Sequence, residues 1–239
     1  MFSDGFEENE SSKVVIKDID PESMRIVLEY VYSGGKEIKI EEDNVESLLQ
    51  ASNLLQFGDI KLLCVDFLLK HLETSNCLQV LGLAELYNCE SMAKTVEKFI
   101  GKHFVEITKT HLTASKETML QLLSNEQIEV DEKEVFQALM NWVENDLEKR
   151  APFLPELLEH IRIGAMTKKY FNFTVSPFLR RFPQCQDFLV EIMSFHLLDK
   201  EQKKDHALNR SMYRDGQDKA LLLLEQKFCL GFDFEEKKW

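Results

Sequence analysis

The sequence predicts a mainly α fold with two short strands, and three observations carry that reading. Between Asp43 and Asn88 three apolar runs follow one another at helical spacing: Val45, Leu48, Leu49 and Leu55; then Ile60, Leu63, Cys64, Phe67 and Leu68; then Cys77, Leu78, Leu81 and Leu86. The links between them, Gln56-Phe57-Gly58 and Glu73-Thr74-Ser75, are too short for anything but neighbouring helices. Against this helical bulk only Lys13–Lys17 and Lys36–Ile40 are β-branched enough to read as strands. Two strands alone are marginal in water, so both are expected to keep unpaired edges unless another segment pairs with them.

In chain order, an acidic opening carrying Phe2 and Phe6 precedes the first strand. Asp20 and Pro21 then suit the cap and first position of a helix whose apolar face is Met24, Val27, Leu28 and Val31. Gly34-Gly35 ends it. Asp43 with Glu46, and Asp131 with Glu134, stand at capping-box spacing before later helices. Met92, Val96, Phe99, Ile100 and Phe104 form a stripe, and a short helix is expected around Thr118–Leu123. Val135, Phe136, Leu139, Trp142 and Val143 form the strongest apolar face of the second half. Pro152 and Pro155 start a helix carrying Leu157, Leu158 and Ile161, irregular backbone follows from Thr167 to Arg181, and Phe188–Leu198 closes the block. Past Asp199 the chain turns polar and charged, and its last twenty residues are expected to form at most one helix.

The composition excludes several function classes. A chain of 239 residues with 44% apolar content can bury a sizeable core. A formal charge of −13 disfavours nucleic acid, whose phosphates need clustered Lys and Arg. No apolar run is long enough to cross a bilayer, and the five separated cysteines fit reduced, buried thiols of cytoplasm or nucleus. There is no glycine-rich phosphate loop, nucleophile elbow or HExxH, and no cofactor is implied. His71, His103 and His160 fall near helix ends, where an imidazolium meets the helix dipole. Cys77 and Cys89 lack the second pair that a zinc site needs. With no assembled constellation an enzyme is disfavoured, and partner surface remains. Phe6-Glu7-Glu8 is the most suggestive piece: burying one Phe is worth about 1.5–3 kcal/mol, so an exposed Phe6 is an anchor, unless it folds back on its own domain.

The runs DIDPESMRIVLEYVYSGG and NVESLLQASNLLQFGDIKLLCVDFLLKHLETSNCLQVLGLAELYN resemble the second half of a BTB domain and the adjoining 3-box. LLSNEQIEVDEKEVFQALMNWVENDLEKRAPFLPELLEHIRI resembles a BACK domain, and together these segments resemble the kelch-like family over residues 1 to 199. The resemblance implies the C-terminal half of a BTB domain at 1–72, an all-helical 3-box and BACK domain at 73–199, and a linker and weakly structured tail at 200–239. It also implies a non-catalytic substrate adaptor of cullin-3 RING ubiquitin ligases. In that family a hydrophobic-x-Glu motif before the strand touches the cullin N-terminal region, and Phe6 and Glu8 stand there. The same carry-over places Tyr32, Phe57 and Asp59, and the 3-box residues Ser75, Asn76 and Leu78, at the cullin.

Two departures shape the expectation. The first half of the BTB domain is absent from this sequence, and with it the dimer interface, which leaves homodimer or heterodimer open. No kelch propeller follows, so the chain is expected to bind the cullin without its own substrate domain. The rival reading is a helical interaction scaffold that makes no ligase contact.

Overall fold

The computed structural model describes residues 16–36, 38–198, 219–223 and 229–233. It divides into two compact units, Met1–Ala93 and Lys94–Trp239. The fold is mainly α, as the periodicity predicts.

In the first unit α1, Pro21–Tyr32, begins as expected: the Asp20 carboxylate accepts from the amides of Glu22 at 2.9 Å and Ser23 at 3.1 Å. It ends as expected too. Gly34 and Gly35 take φ of 69° and 78°, and the Gly35 amide returns to the Tyr30 carbonyl at 2.9 Å. Its buried side differs from the expected one. Ser23, Ile26 and Val27 are buried, whereas Leu28 and Val31 are exposed. The stripe is rotated toward Ser23, whose hydroxyl lies 2.9 Å from that of Ser47 on the next helix.

Helices α2, Val45–Leu54, and α3, Gly58–Lys70, pack along each other. Val45, Leu48, Leu49, Ile60 and Cys64 are buried between them and α1, while Leu63 is turned outward. α4, Cys77–Leu86, buries Cys77, Val80, Leu81, Leu83 and Ala84, a broader face than expected, and exposes Leu86. The capping box at Asp43 and Glu46 is replaced by Asn44. Its amide oxygen accepts from the Glu41 amide at 2.9 Å, and its nitrogen donates to the Lys39 carbonyl at 3.2 Å.

Of the two expected strands, none of the described residues is in a strand. Residues 16, 17, 36 and 38–40 have irregular backbone, and 13–15 and 37 lie outside the described residues. Among the described residues, backbone carbonyls here are met by side chains: Gln50 donates to the Asp18 carbonyl at 3.1 Å, and Asn44 to that of Lys39 at 3.2 Å. The described strands lie elsewhere. β1, Lys219–Leu223, pairs antiparallel with β2, Cys229–Asp233, in the register Lys219↔Asp233 to Leu223↔Cys229. This corrects the single helix expected there, and short apolar runs such as ALLLL carry no period that separates the two states.

A repeat of 32 residues emerges from the backbone. Glu41, Asn44, Gln56, Phe67 and His71 recur as Glu73, Asn76, Asn88, Phe99 and His103. Asn76 clamps its turn as Asn44 does, accepting from the Glu73 amide at 2.9 Å and donating to the His71 carbonyl at 2.8 Å. Gln56 and Asn88 both adopt left-handed φ, 61° and 53°. The amides that follow them return to Ser52 and Ala84 at 2.8 and 2.7 Å. Phe67 stacks on His71 at 4.2 Å and Phe99 on His103 at 4.5 Å. The boundary between the units falls inside the second copy's α5, Glu90–Lys102.

In the second unit α6, Phe104–Thr110, α7, Lys116–Ser124, and α8, Glu132–Asn145, form the core with Phe104, Ile107, Met119, Leu122, Phe136, Leu139 and Trp142 buried. Asp131 caps α8 by accepting from the Lys133 amide at 3.0 Å. Leu154, Leu157, Leu158 and Ile161 are buried after Pro152, as expected. The irregularity read from Thr167 onward is a π-helical turn at Phe171–Val175, and α9, Gln186–Leu197, closes the unit.

Candidate partner-docking site

The expected contact residues outside the opening segment all fall in the first unit. Phe6 and Glu8 lie outside the described residues. Tyr32 is the last residue of α1 and 88% exposed, held at the end of a rigid arm by the left-handed glycines that follow. Phe57 is half-buried and precedes α3, fixed by its own amide bond to the Ser52 carbonyl at 2.8 Å and by the Lys61 amide, which donates to its carbonyl at 3.1 Å. Asp59 is exposed in the first turn of α3, where a carboxylate complements the positive end of the helix. Ser75 is exposed and donates to the Glu73 carboxylate at 3.3 Å. Asn76 uses one N–H and one lone pair of its amide on its own turn, which shapes the edge and leaves a second donor and a second acceptor site. Leu78 is half-buried at the second position of α4.

Side-chain bonds tie these segments together within the unit. Gln79 on α4 donates to Glu46 on α2 at 3.2 Å. The Lys61 ammonium on α3 donates to the Tyr87 carbonyl at the end of α4, 2.7 Å, and to the Asn53 side-chain oxygen near the end of α2, 2.9 Å. Sequence reasoning missed Lys61, which looks like any solvated lysine on a helix.

An open groove of about 820 Å³ borders Tyr32, with Arg25, Ile26, Glu29, Ile38 and Asn44 among its walls. Arg25 is paired with both Glu22 and Glu29, and Lys39 with Glu41 at 2.9 Å. With Lys36 also on its wall these charges balance, so the groove focuses no strong field of one sign. No histidine or cysteine lines it. Burial pushes the Cys64 thiol up to about 12, and those of Cys77 and Cys185 to about 11, which keeps them protonated and unreactive. Among the described residues no cluster of three or more His, Cys, Asp and Glu side chains is placed to hold a metal ion. Among them, too, no helix is long and apolar enough to cross a membrane.

Comparison with known proteins agrees with the architecture. Residues 1–72 match the BTB/POZ domain model, and residues 77–176 match the BTB And C-terminal Kelch (BACK) model. Kelch-like protein 17 of Homo sapiens is 30% identical over 207 residues, which are 84% of this chain and 32% of that protein. Kelch-like protein 3 of Danio rerio is 31% identical over 258 residues, covering 100% of this chain and 42% of the relative. Its Homo sapiens counterpart is 31% identical over 208 residues, 85% of this chain and 35% of the relative. The chain thus spans well under half the length of these relatives. Two domain models in BTB-then-BACK order, and kelch-like relatives that align across both, lead to one conclusion: the chain belongs to the kelch-like family of BTB–BACK proteins.

Proposed function

We propose that the chain is a non-catalytic adaptor of a cullin-3 RING ubiquitin ligase, docking the cullin N-terminal region through its BTB segment and 3-box. The observation that carries the reading is the presentation of Tyr32, Asp59 and Ser75, three exposed residues on separate segments, from one compact unit whose helices are cross-braced. Membership of the kelch-like family supports it. Phe6 supplies an aromatic anchor and Glu8 a polar clasp, while Tyr32, Phe57, Asp59, Ser75, Asn76 and Leu78 extend the contact. Anchors of this kind hold most of the energy of an interface.

The test is co-purification of the full chain with a cullin-3 N-terminal fragment, read beside hydrogen exchange of the free protein. Binding, with protection running through α1 as well as α2 and α3, is the expected result. Protection confined to 45–69, with none across 6–40 and no cullin bound, would instead assign the helical scaffold.

A further inference from the structure

We infer that Lys61 is a positioning residue: it sets the offset between the two helix–link–helix copies that carry the candidate docking segments. The inference rests on the adaptor reading for its consequence, but its geometry stands alone. Each copy is braced internally by the same set of bonds, the Asn44 or Asn76 clamp, the left-handed Gln56 or Asn88, and the returning amide after it. Those bonds say nothing about where one copy sits relative to the other. The joint is a separate device. The Lys61 ammonium reaches the Tyr87 carbonyl, one of the orphan acceptors at the negative end of α4, and the Asn53 amide oxygen beside the end of α2. The 32-residue counterpart of Lys61 is Ala93, so the device is built into one copy only.

The domain boundaries bear on the same point. By family the BACK match starts at Cys77, yet by compactness α4 belongs with the BTB-matching segment, and the unit ends at Ala93. Lys61 on α3 and the Gln79–Glu46 bond at 3.2 Å hold that helix across the family boundary. Both bonds are charge-assisted, but the Glu46 bond is exposed and 3.2 Å long, whereas the Lys61–Tyr87 bond is partly buried and 2.7 Å, where water competes less. Phe57 and Asp59 flank the start of α3, and Ser75 to Leu78 form the start of α4, so a slip of one helix on the other separates the two halves of the docking edge.

Lys61→Met keeps the aliphatic stem and removes the ammonium, and Lys61→Arg restores a donor. In the full chain we expect Lys61→Met to weaken binding of a cullin-3 N-terminal fragment by about tenfold, the worth of one hydrogen bond to a charged group, and Lys61→Arg to recover most of it. Hydrogen exchange in the Met variant should quicken only around 84–89, with α2 and α3 as protected as in the wild type. Wild-type affinity in Lys61→Met, or loss of protection through both copies, overturns the positioning role. Should the wild type itself fail to bind, the adaptor reading falls; locally quickened exchange would still uphold the joint, and unchanged exchange would overturn it.

Discussion

Gly101 is where one atom decides most. A Cβ on it would lie 1.8 Å from the Gln127 carbonyl oxygen and 2.4 Å from its carbon, both backbone. The Asn125–Gln127 turn is drawn onto α5 because Asn125 donates to the Glu97 carbonyl at 2.8 Å and accepts from the Gln127 amide at 2.8 Å. Backbone cannot rotate away as a side chain can, so Gly101→Ala should cost about 3 kcal/mol, measured as a fall in the denaturant midpoint. Arg150 is a second such residue. Its guanidinium lies 4.3 Å over the Trp142 ring and donates to the carbonyls of Leu112 at 2.7 Å and Trp142 at 2.6 Å, while the Trp142 indole donates to Ala114 at 3.0 Å. Arg150→Ala should destabilise by about 2 kcal/mol, and Arg150→Lys should recover only part, since the ammonium lacks the planar face. The thiols provide a third residue-scale prediction: a thiol reagent at pH 8 should leave Cys64, Cys77 and Cys185 unmodified until the protein unfolds. Rapid native labelling of any of them would contradict their burial.

At the scale of elements, capping separates what the sequence discloses from what it hides. Asp20 with Pro21 was legible because both residues act on their own helix start. The Ser23 hydroxyl first, then the Ser23 amide, holds the Asp20 carboxyl below its ordinary value of 3.8. A carboxylate depressed by folding stabilises fully above its unfolded value and loses that contribution as pH falls through the folded value. The α1 term should therefore be intact at neutral pH and fade only below about pH 4. Asp20→Ala should cost about 1 kcal/mol at pH 7, whereas Asp20→Asn should stay near wild type there and lose the acid limb. A steeper acid limb in Asp20→Asn than in the wild type would refute this assignment. The Asp43 capping box failed because the helix starts one residue later, after Asn44, whose side chain bonds back to Glu41 and Lys39 rather than to the helix amides. The strand expected at Lys36–Ile40 differs for the opposite reason, its described residues being irregular. Its β-branched pattern describes a preference, but a ladder needs a partner, and pattern alone does not supply one. Leu28, Val31, Leu63 and Leu86 show a further limit: periodicity finds a helix, but neighbours choose which side is buried.

At the scale of the whole molecule, the helical order was legible throughout, since each apolar stripe recurs at three and four residues. Apart from Phe6 and Glu8, the candidate docking residues were legible only through family resemblance. Tyr32, Asp59 and Ser75 have no local pattern that separates them from any exposed polar or aromatic residue, and Lys61 has none at all. The 32-residue repeat was hidden because its apolar positions vary, Ile60 against Met92 and Cys64 against Val96, while the bonds that define it are made by Asn, Gln and backbone. The division into two units at Ala93, one helix beyond the BTB match, predicts that docking depends on the first unit and the 3-box start alone. Exposed substitutions on the second unit, such as Glu148→Ala or Phe173→Ala, should leave it unchanged.

The affinity of the full chain for a cullin-3 N-terminal fragment, measured by calorimetry for the wild type, Phe6→Ala, Tyr32→Ala and Glu148→Ala, tests the central claim most directly. The account predicts binding by the wild type, a loss of about thirtyfold for Phe6→Ala as a buried anchor of some 2 kcal/mol, a smaller loss for Tyr32→Ala, and none for Glu148→Ala. Equal affinity across all four proteins, or no binding by the wild type, would contradict it.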